Sequence, residues 1–397
     1  MKKNNILLLF FVIITISLYA QSPYISKVFD FRPAPGQFVN MLPKYKDGDT
    51  HETMLTKVAE AIVGDEKGLV SLGAYGGYIV FGFDHLVENK LGKYDFKIWG
   101  NAYYYNANPA PGELPTGACE PGIVLVSYDA NGNGLPDDPW YELAGSEYYK
   151  PKTITDYEIT YYKPDPDKEP TPDPNFPFLT DTSYVKWIDN QEVVGYVARN
   201  AWHSQPYYPL WLNEETLTFE GAKLANNGVA KDTAGQNFVQ YAYPWGYADN
   251  HPNDNIRSNF DIGWAVDAQG NNVNLPGIHF VKVYTGVNQY CGWLGETSTE
   301  IMGAEDLHIQ GIDIDVLGVP PPLPLPDAKV YYHQGKLFLE NIEDCYATLY
   351  NINAQVMNSF YVNNANKIYE IKLTSGVYLL KIQKQNAGRI FKFIINH

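Results

Sequence analysis

Alternating apolar and polar positions mark most of this chain, and the clearest alternation lies near its end. Residues 376–382 and 389–395 are β-branched and aromatic runs flanking a Gln/Asn/Gly turn, which predicts a β-hairpin. Before it, residues 336–340, 346–352, 356–362 and 368–373 alternate with period two, and Asn353, Asn363, Asn364, Ser375 and Gly376 punctuate the runs. About six or seven short strands at this spacing predict a small, immunoglobulin-like β-sandwich.

The longer N-terminal part carries strand-like runs at 70–72, 78–83, 94–99, 123–128, 280–284 and 307–314. One segment has helical period: in 53–63, Leu55, Val58, Ala59 and Ile62 share a face. Residues 32–40 read as loop, and the acidic, Pro-rich stretch 165–174 as an exposed loop. No period repeats, which argues against propellers and solenoids. The run Pro320-Pro321-Pro322-Leu323-Pro324-Leu325-Pro326 cannot supply ladder N–H groups and predicts an extended linker. The expected division is a leader at 1–20, a β-sandwich at 21–318, a linker at 319–327 and a second sandwich at 328–397.

The leader has the form of a secretory signal. Lys2 and Lys3 precede an apolar run from Ile6 to Tyr19, and Ala20 suits a cleavage site. The run is short for a membrane span, and no Cys follows Ala20 for a lipid anchor. Composition agrees with turn-rich β-structure: Tyr, Gly and Pro number 32, 33 and 27 of 397 residues, and charged residues make up 19%. A net charge of −16 repels phosphate backbones, so nucleic acid is not an expected partner, whereas divalent cations are attracted. Cys119, Cys291 and Cys345 have no zinc spacing; Cys119 and Cys291 could bridge after export or remain free thiols.

One loop has the composition of a calcium site. Asp129, Asn131 and Asn133 stand at alternate positions before Gly134, Leu135 offers a carbonyl, and Asp137 and Asp138 follow. An EF-hand would next have Glu where Trp140 stands; Glu142 is the expected closing ligand. The competing reading is a polar hairpin turn. Two Pro-broken aromatic segments are candidate ligand contacts, with Trp202, His203, Tyr207 and Trp211 in one and Trp245 and Tyr247 in the other. Their alternative role is closing the ends of the sandwich core. No nucleophile elbow, paired-His metal motif or phosphate loop is present. Asp261, Glu296, Glu300 and Asp306 are the carboxylates from which an acid/base pair could come, although Glu296 and Glu300 read better as members of loop-capping polar networks.

Several stretches together carry a resemblance. They are Ser71–His85, Tyr94-Asp95-Phe96, Gly100-Asn101-Ala102, Glu120–Ser127, Trp140–Tyr148, Phe260-Asp261-Ile262 and Gly295–Glu300. This set resembles a family of Bacteroidetes cell-surface proteins and, more distantly, secreted discoidin-like jelly rolls, over most of residues 27–316. The terminal hairpin resembles the sorting domain of type IX secretion. The resemblance implies an all-β chain, with a large jelly-roll or discoidin-like sandwich followed by the small one, carried to the cell surface by the type IX machinery. It also implies a role in nutrient capture, including corrinoids, beside an outer-membrane transporter. The expected function is therefore a non-enzymatic binding protein for a small glycan or cofactor, stabilised by Ca2+. The alternatives are a corrinoid binder, a secreted glycoside-active enzyme and a purely structural surface protein.

Overall fold

The computed structural model describes residues 21–110, 113–312, 314, 316, 328–351, 356–363, 367–384 and 387–395. The expected leader and Pro-rich linker lie outside the described residues. The chain is all-β, built from antiparallel sheets. In the largest sheet the strands run in the order Lys27–Arg32, Tyr78–Glu88, Gly277–Thr285, Gly122–Ser127, Trp140–Leu143, Ala265–Val266. A second is ordered Val194–Asn200, Leu179–Asp189, Ile154–Tyr162, Thr216–Lys223.

Both sheets contribute to one hydrophobic core, where Phe81, Val124, Val126 and Val283 of the first meet Ile159, Val185, Leu217 and Phe219 of the second. Tyrosines fill the seam. Tyr75 meets Tyr157 edge to face at 4.9 Å, and the hydroxyls of Tyr75 and Tyr284 donate to Ala222 O at 3.2 and 3.0 Å. A Tyr suits this position because its ring is buried while its hydroxyl satisfies a carbonyl the sheet leaves open. The helix His51–Ile62 packs against this core, its N-terminus capped by Thr50, whose hydroxyl accepts from Thr53 N at 3.3 Å. Its most buried residues are Met54, Val58 and Ile62, with Leu55 and Ala59 half-buried beside them.

The strand-like run at 307–314 has another fate. The strand Gly303–Asp306 ends where it was expected to begin, and 307–311 form a turn in which Ile312 N donates back to Leu307 O at 3.0 Å. Its apolar residues still reach the core, Leu307 fully and Ile312 and Ile314 in part. Leu307 N donates to Asp95 O and Ile314 O accepts Tyr94 N, both at 3.0 Å, yet 307–312 is not a strand; burial alone gives the same hydropathy signal as one. The three cysteines are buried, and Cys119 and Cys291 form no bridge.

The C-terminal part matches its pattern closely. Lys329–His333, Lys336–Glu340 and Ile368–Glu370 form one sheet; Val356–Val362, Cys345–Asn351, Gly376–Lys384 and Ala387–Ile395 form the other, in that order. Leu337 and Leu339 from the first and Leu349, Leu380 and Ile382 from the second share a separate core. The hairpin is in register from Gly376 opposite Ile395 to Lys384 opposite Ala387. Among the described residues, no helix is long and apolar enough to cross a membrane.

Candidate functional site

Four large aromatic side chains, each between 45% and 60% exposed, surround one depression. Tyr103 and Tyr105 lie two apart on the strand Tyr103–Asn106, so strand alternation puts both on one face. Their hydroxyls meet at 2.7 Å. Trp202 follows the strand Val194–Asn200 and stacks on Phe178 at 5.1 Å. Trp293 sits in the short 3-10 turn Gly292–Leu294. Gly292 there has φ 62° and lies so close to Gln236 O that a Cβ would be 2.2 Å from it. With Phe38 and His203, these rings bound a groove of about 540 Å³.

Gln37 and Asn200, both buried, tie the three loops together. Gln37 Nε2 donates to Leu294 O at 2.7 Å, and Asn200 Nδ2 donates to Gln37 Oε1 at 2.9 Å. Asn200 Oδ1 accepts the N–H groups of Trp202 and His203 at 3.1 and 2.8 Å. The Phe38 ring meets His203 edge-on at 4.6 Å. A buried amide network with its partners in place fixes the loops that hold the rings.

Glu120 and Gln240 belong to the polar part of the groove wall, and next to Glu120 lie Asp249 and Glu300. Ligand oxygens of the three carboxylates are all within 4.8 Å of one another, the one such convergence of acidic, His or Cys groups among the described residues. Asp249 is the organiser. Its backbone is left-handed at φ 52°, a conformation Asp tolerates. Its Oδ1 accepts from Asn101 N and Ala102 N at 2.7 and 2.8 Å, and its carbonyl accepts Glu120 N at 2.9 Å. Gly100 makes the approach possible, since a Cβ there would be 2.4 Å from Asp249 Oδ1. Glu300, on the short strand Glu300–Ile301, accepts from Ser298 Oγ at 2.8 Å; Glu120 accepts Ser298 N at 3.3 Å.

Burial pushes all three carboxyls up. Glu120 rises to about 7, held back by hydrogen bonds from Ser298 N, Glu300 and Gln240. Asp249 and Glu300 rise well above the ordinary range through burial and then through the charge of the neighbouring carboxylates. Three carboxylates this close cannot all ionise, so the cluster keeps protons at neutral pH. Such a group can donate and accept hydrogen bonds, carry partial negative charge toward the groove, or offer oxygens to a hard cation.

The expected ligand-contact residues divide. Trp202 and His203 stand in the groove. Tyr207, Trp211 and Tyr247 are core residues, 0%, 7% and 1% exposed. Tyr207 OH accepts Asn200 N at 3.2 Å, Trp211 stacks on Phe31 at 5.9 Å, and Tyr247 OH accepts Glu147 N at 3.0 Å. Trp245 is half-buried with its ring 4.7 Å from that of Trp264. For these four, closure of the core is the role their packing gives.

In the acidic loop, Asp129 accepts from Asn133 N and Gly134 N at 3.1 and 2.9 Å, and Asn133 Oδ1 accepts Leu135 N at 2.8 Å. Asn131 and Asn133 turn their amide nitrogens to Asp137 at 3.1 and 2.9 Å, while Asp138 accepts Ala130 N at 3.0 Å. Glu142, the expected closing ligand, lies on the strand Trp140–Leu143. It pairs with Leu125 in the sheet, and burial raises its carboxyl to about 8, close enough to raise Tyr148, Tyr247 and Tyr284 in turn.

Of the carboxylates considered for catalysis, only Glu300 joins the cluster. Asp261 caps a 3-10 turn through Gly263 N at 2.7 Å, Asp306 meets His85 Nε2 at 3.1 Å, and Glu296 accepts Gln37 N at 2.6 Å. Sequence reasoning missed Glu120, Asp249, Tyr103, Tyr105 and Trp293 as site residues. The signal available was three consecutive tyrosines in a polar, Asn-flanked run and a Trp between Gly292 and Leu294. No protein-family model matches the chain, and no curated protein matches its sequence.

Proposed function

We propose that this is an exported, cell-surface binding protein that holds a small glycan in the aromatic groove. The observation that carries the reading is the gathering of Tyr103, Tyr105, Trp202 and Trp293, all exposed, around Glu120 and Gln240. Exposed rings grouped in this way mark binding surfaces. Tyr and Trp offer rigid faces to the apolar side of a sugar ring, while Gln240 and the carboxyls exchange hydrogen bonds with its hydroxyls. The N-terminal leader and the C-terminal sandwich support export through type IX secretion, and the acidic loop is proposed to bind a structural calcium ion.

The test is a glycan screen read by quenching of tryptophan fluorescence, with cobalamin titrated in parallel. Saturable binding of a glycan, lost in Trp293→Ala, is the expected result. Binding of cobalamin alone, or of neither, overturns the glycan reading.

A further inference from the structure

The groove's charge narrows its ligand, on the binding role proposed above. Its wall holds no Lys or Arg, and its polar groups are Gln37, His203, Gln240 and Glu120. Burial lowers the pKa of His203, which keeps that imidazole neutral at neutral pH. Among the described residues, no ion pair joins a cationic side chain to Glu120, Asp249 or Glu300; the groups that act on them are backbone N–H groups, hydroxyls, an amide and each other. The ion pairs of this part of the chain use other carboxylates, such as Glu214 with Arg32 and Asp49 with Lys57. The site is thus an acidic cluster left without a counter-charge, beside four exposed π-systems.

Both features favour the same thing. A ring face attracts a cation through its quadrupole, most strongly for Trp and Tyr, and the attraction grows when water is excluded. A carboxylate at the side of a half-enclosed groove attracts it by Coulomb interaction less screened than on an open surface. An anionic ligand meets repulsion from the cluster and from a chain of net charge −16. A neutral sugar satisfies the rings but leaves the cluster's negative charge unanswered. We infer that the groove selects a ligand with a cationic nitrogen, an amino sugar of a short glycan, whose ammonium group is seated between Glu120 and the rings.

The experiment compares three oligosaccharides of equal length on the full chain by tryptophan fluorescence and calorimetry: a glucosamine oligomer, its N-acetylated counterpart and an oligogalacturonate. The glucosamine oligomer is expected to bind at least about tenfold more tightly than the N-acetylated one, with no binding of the galacturonate. Glu120→Gln, which keeps the shape of the side chain, should bring the preference close to one with an unchanged melting temperature. Tetramethylammonium, a cation with no sugar, should compete weakly with the glucosamine oligomer. Should the Glu120 variant melt early, the native protein provides the same test. Its affinity for tetramethylammonium, whose charge is independent of pH, must then rise as pH passes upward through about 7, where Glu120 ionises.

Equal binding of the cationic and neutral oligomers, a preference that survives in a folded Glu120→Gln, or no competition by tetramethylammonium overturns the cation seat while leaving glycan binding standing. Binding of none of the oligosaccharides removes the glycan reading as well.

Discussion

Glu300 N donates to Asp249 Oδ2 at 2.9 Å, and through this bond two distant segments meet at the edge of the groove. The same carboxylate also receives Asn101 N and Ala102 N immediately before Tyr103, so it positions both the acidic cluster and the tyrosine strand.

Asp249→Ala should therefore damage fold and site together. It strands three backbone N–H groups, each worth about 1–3 kcal/mol when buried and unpaired. Urea unfolding is expected to show a loss of several kcal/mol, with a smaller loss in Asp249→Asn, which keeps one oxygen. Native stability in the alanine variant would refute the hub role.

Aromatics at the rim and in the core should respond in opposite ways. Tyr105→Ala and Trp293→Ala are expected to weaken glycan binding by about 1–3 kcal/mol with little change in melting temperature. Tyr207→Ala and Tyr247→Ala should cost about 3–5 kcal/mol of stability, as truncating large buried rings does. Binding and melting measured on the same four variants check both halves.

Stability should fall as pH rises. Burial raises Glu296 from its ordinary 4.5 to about 8, and one oxygen, Oε2, is buried without a partner. The folded state thus holds a proton that the unfolded chain releases near 4.5, so stability is lost progressively between these values and levels off above the upper one. Glu142 and Asp261, each raised to about 8, act in the same direction. The melting temperature at about pH 8.5 is expected below that at about pH 5.5, and Glu296→Gln should reduce the difference. A melting temperature that climbs over this range would contradict the assignment.

Calcium at the Asp129–Asp138 loop makes a separate prediction. An ion bound only by the folded state adds about 2.7 kcal/mol at one hundred times its Kd. Chelation should lower the melting temperature, and Asp129→Ala combined with Asp137→Ala should abolish that response. Identical melting curves with and without calcium would leave the loop a polar turn held by its own N–H groups.

Export should depend on the C-terminal sandwich. Removing residues 328–397 is expected to keep the protein off the cell surface while the aromatic-groove part stays folded, since the two cores share no residues. Surface arrival of the shortened chain, followed by antibody labelling of intact cells, would count against sorting.

Local pattern by itself marked Tyr78–Glu88, Gly122–Ser127, Gly277–Thr285 and most strands of the C-terminal part, but none of the second sheet, Ile154–Tyr162, Leu179–Asp189, Val194–Asn200 and Thr216–Lys223. Lys336–Glu340 occupies the residues its alternation marked, because the strand buries one face and a period of two reports that face directly. The helix His51–Ile62 is legible for the same reason at a different period. At 307–314 the same reasoning failed, since burial against the core raises hydropathy whether or not the backbone pairs. Tertiary structure alone decided the site. Trp202 and Trp211 belong to one Pro-broken segment without period, yet one is 59% exposed beside the groove and the other is 7% exposed against Phe31. No local rule separates them, because the rings against Trp211, Phe31 and Tyr45, come from the strand Lys27–Arg32 and the loop after it. Glu120, Asp249 and Glu300 likewise lie on three separate segments, and only their common hydrogen bonds bring the carboxylates together. A carboxylate's chemistry depends on how much water and which charges surround it, and those are properties of the assembled fold.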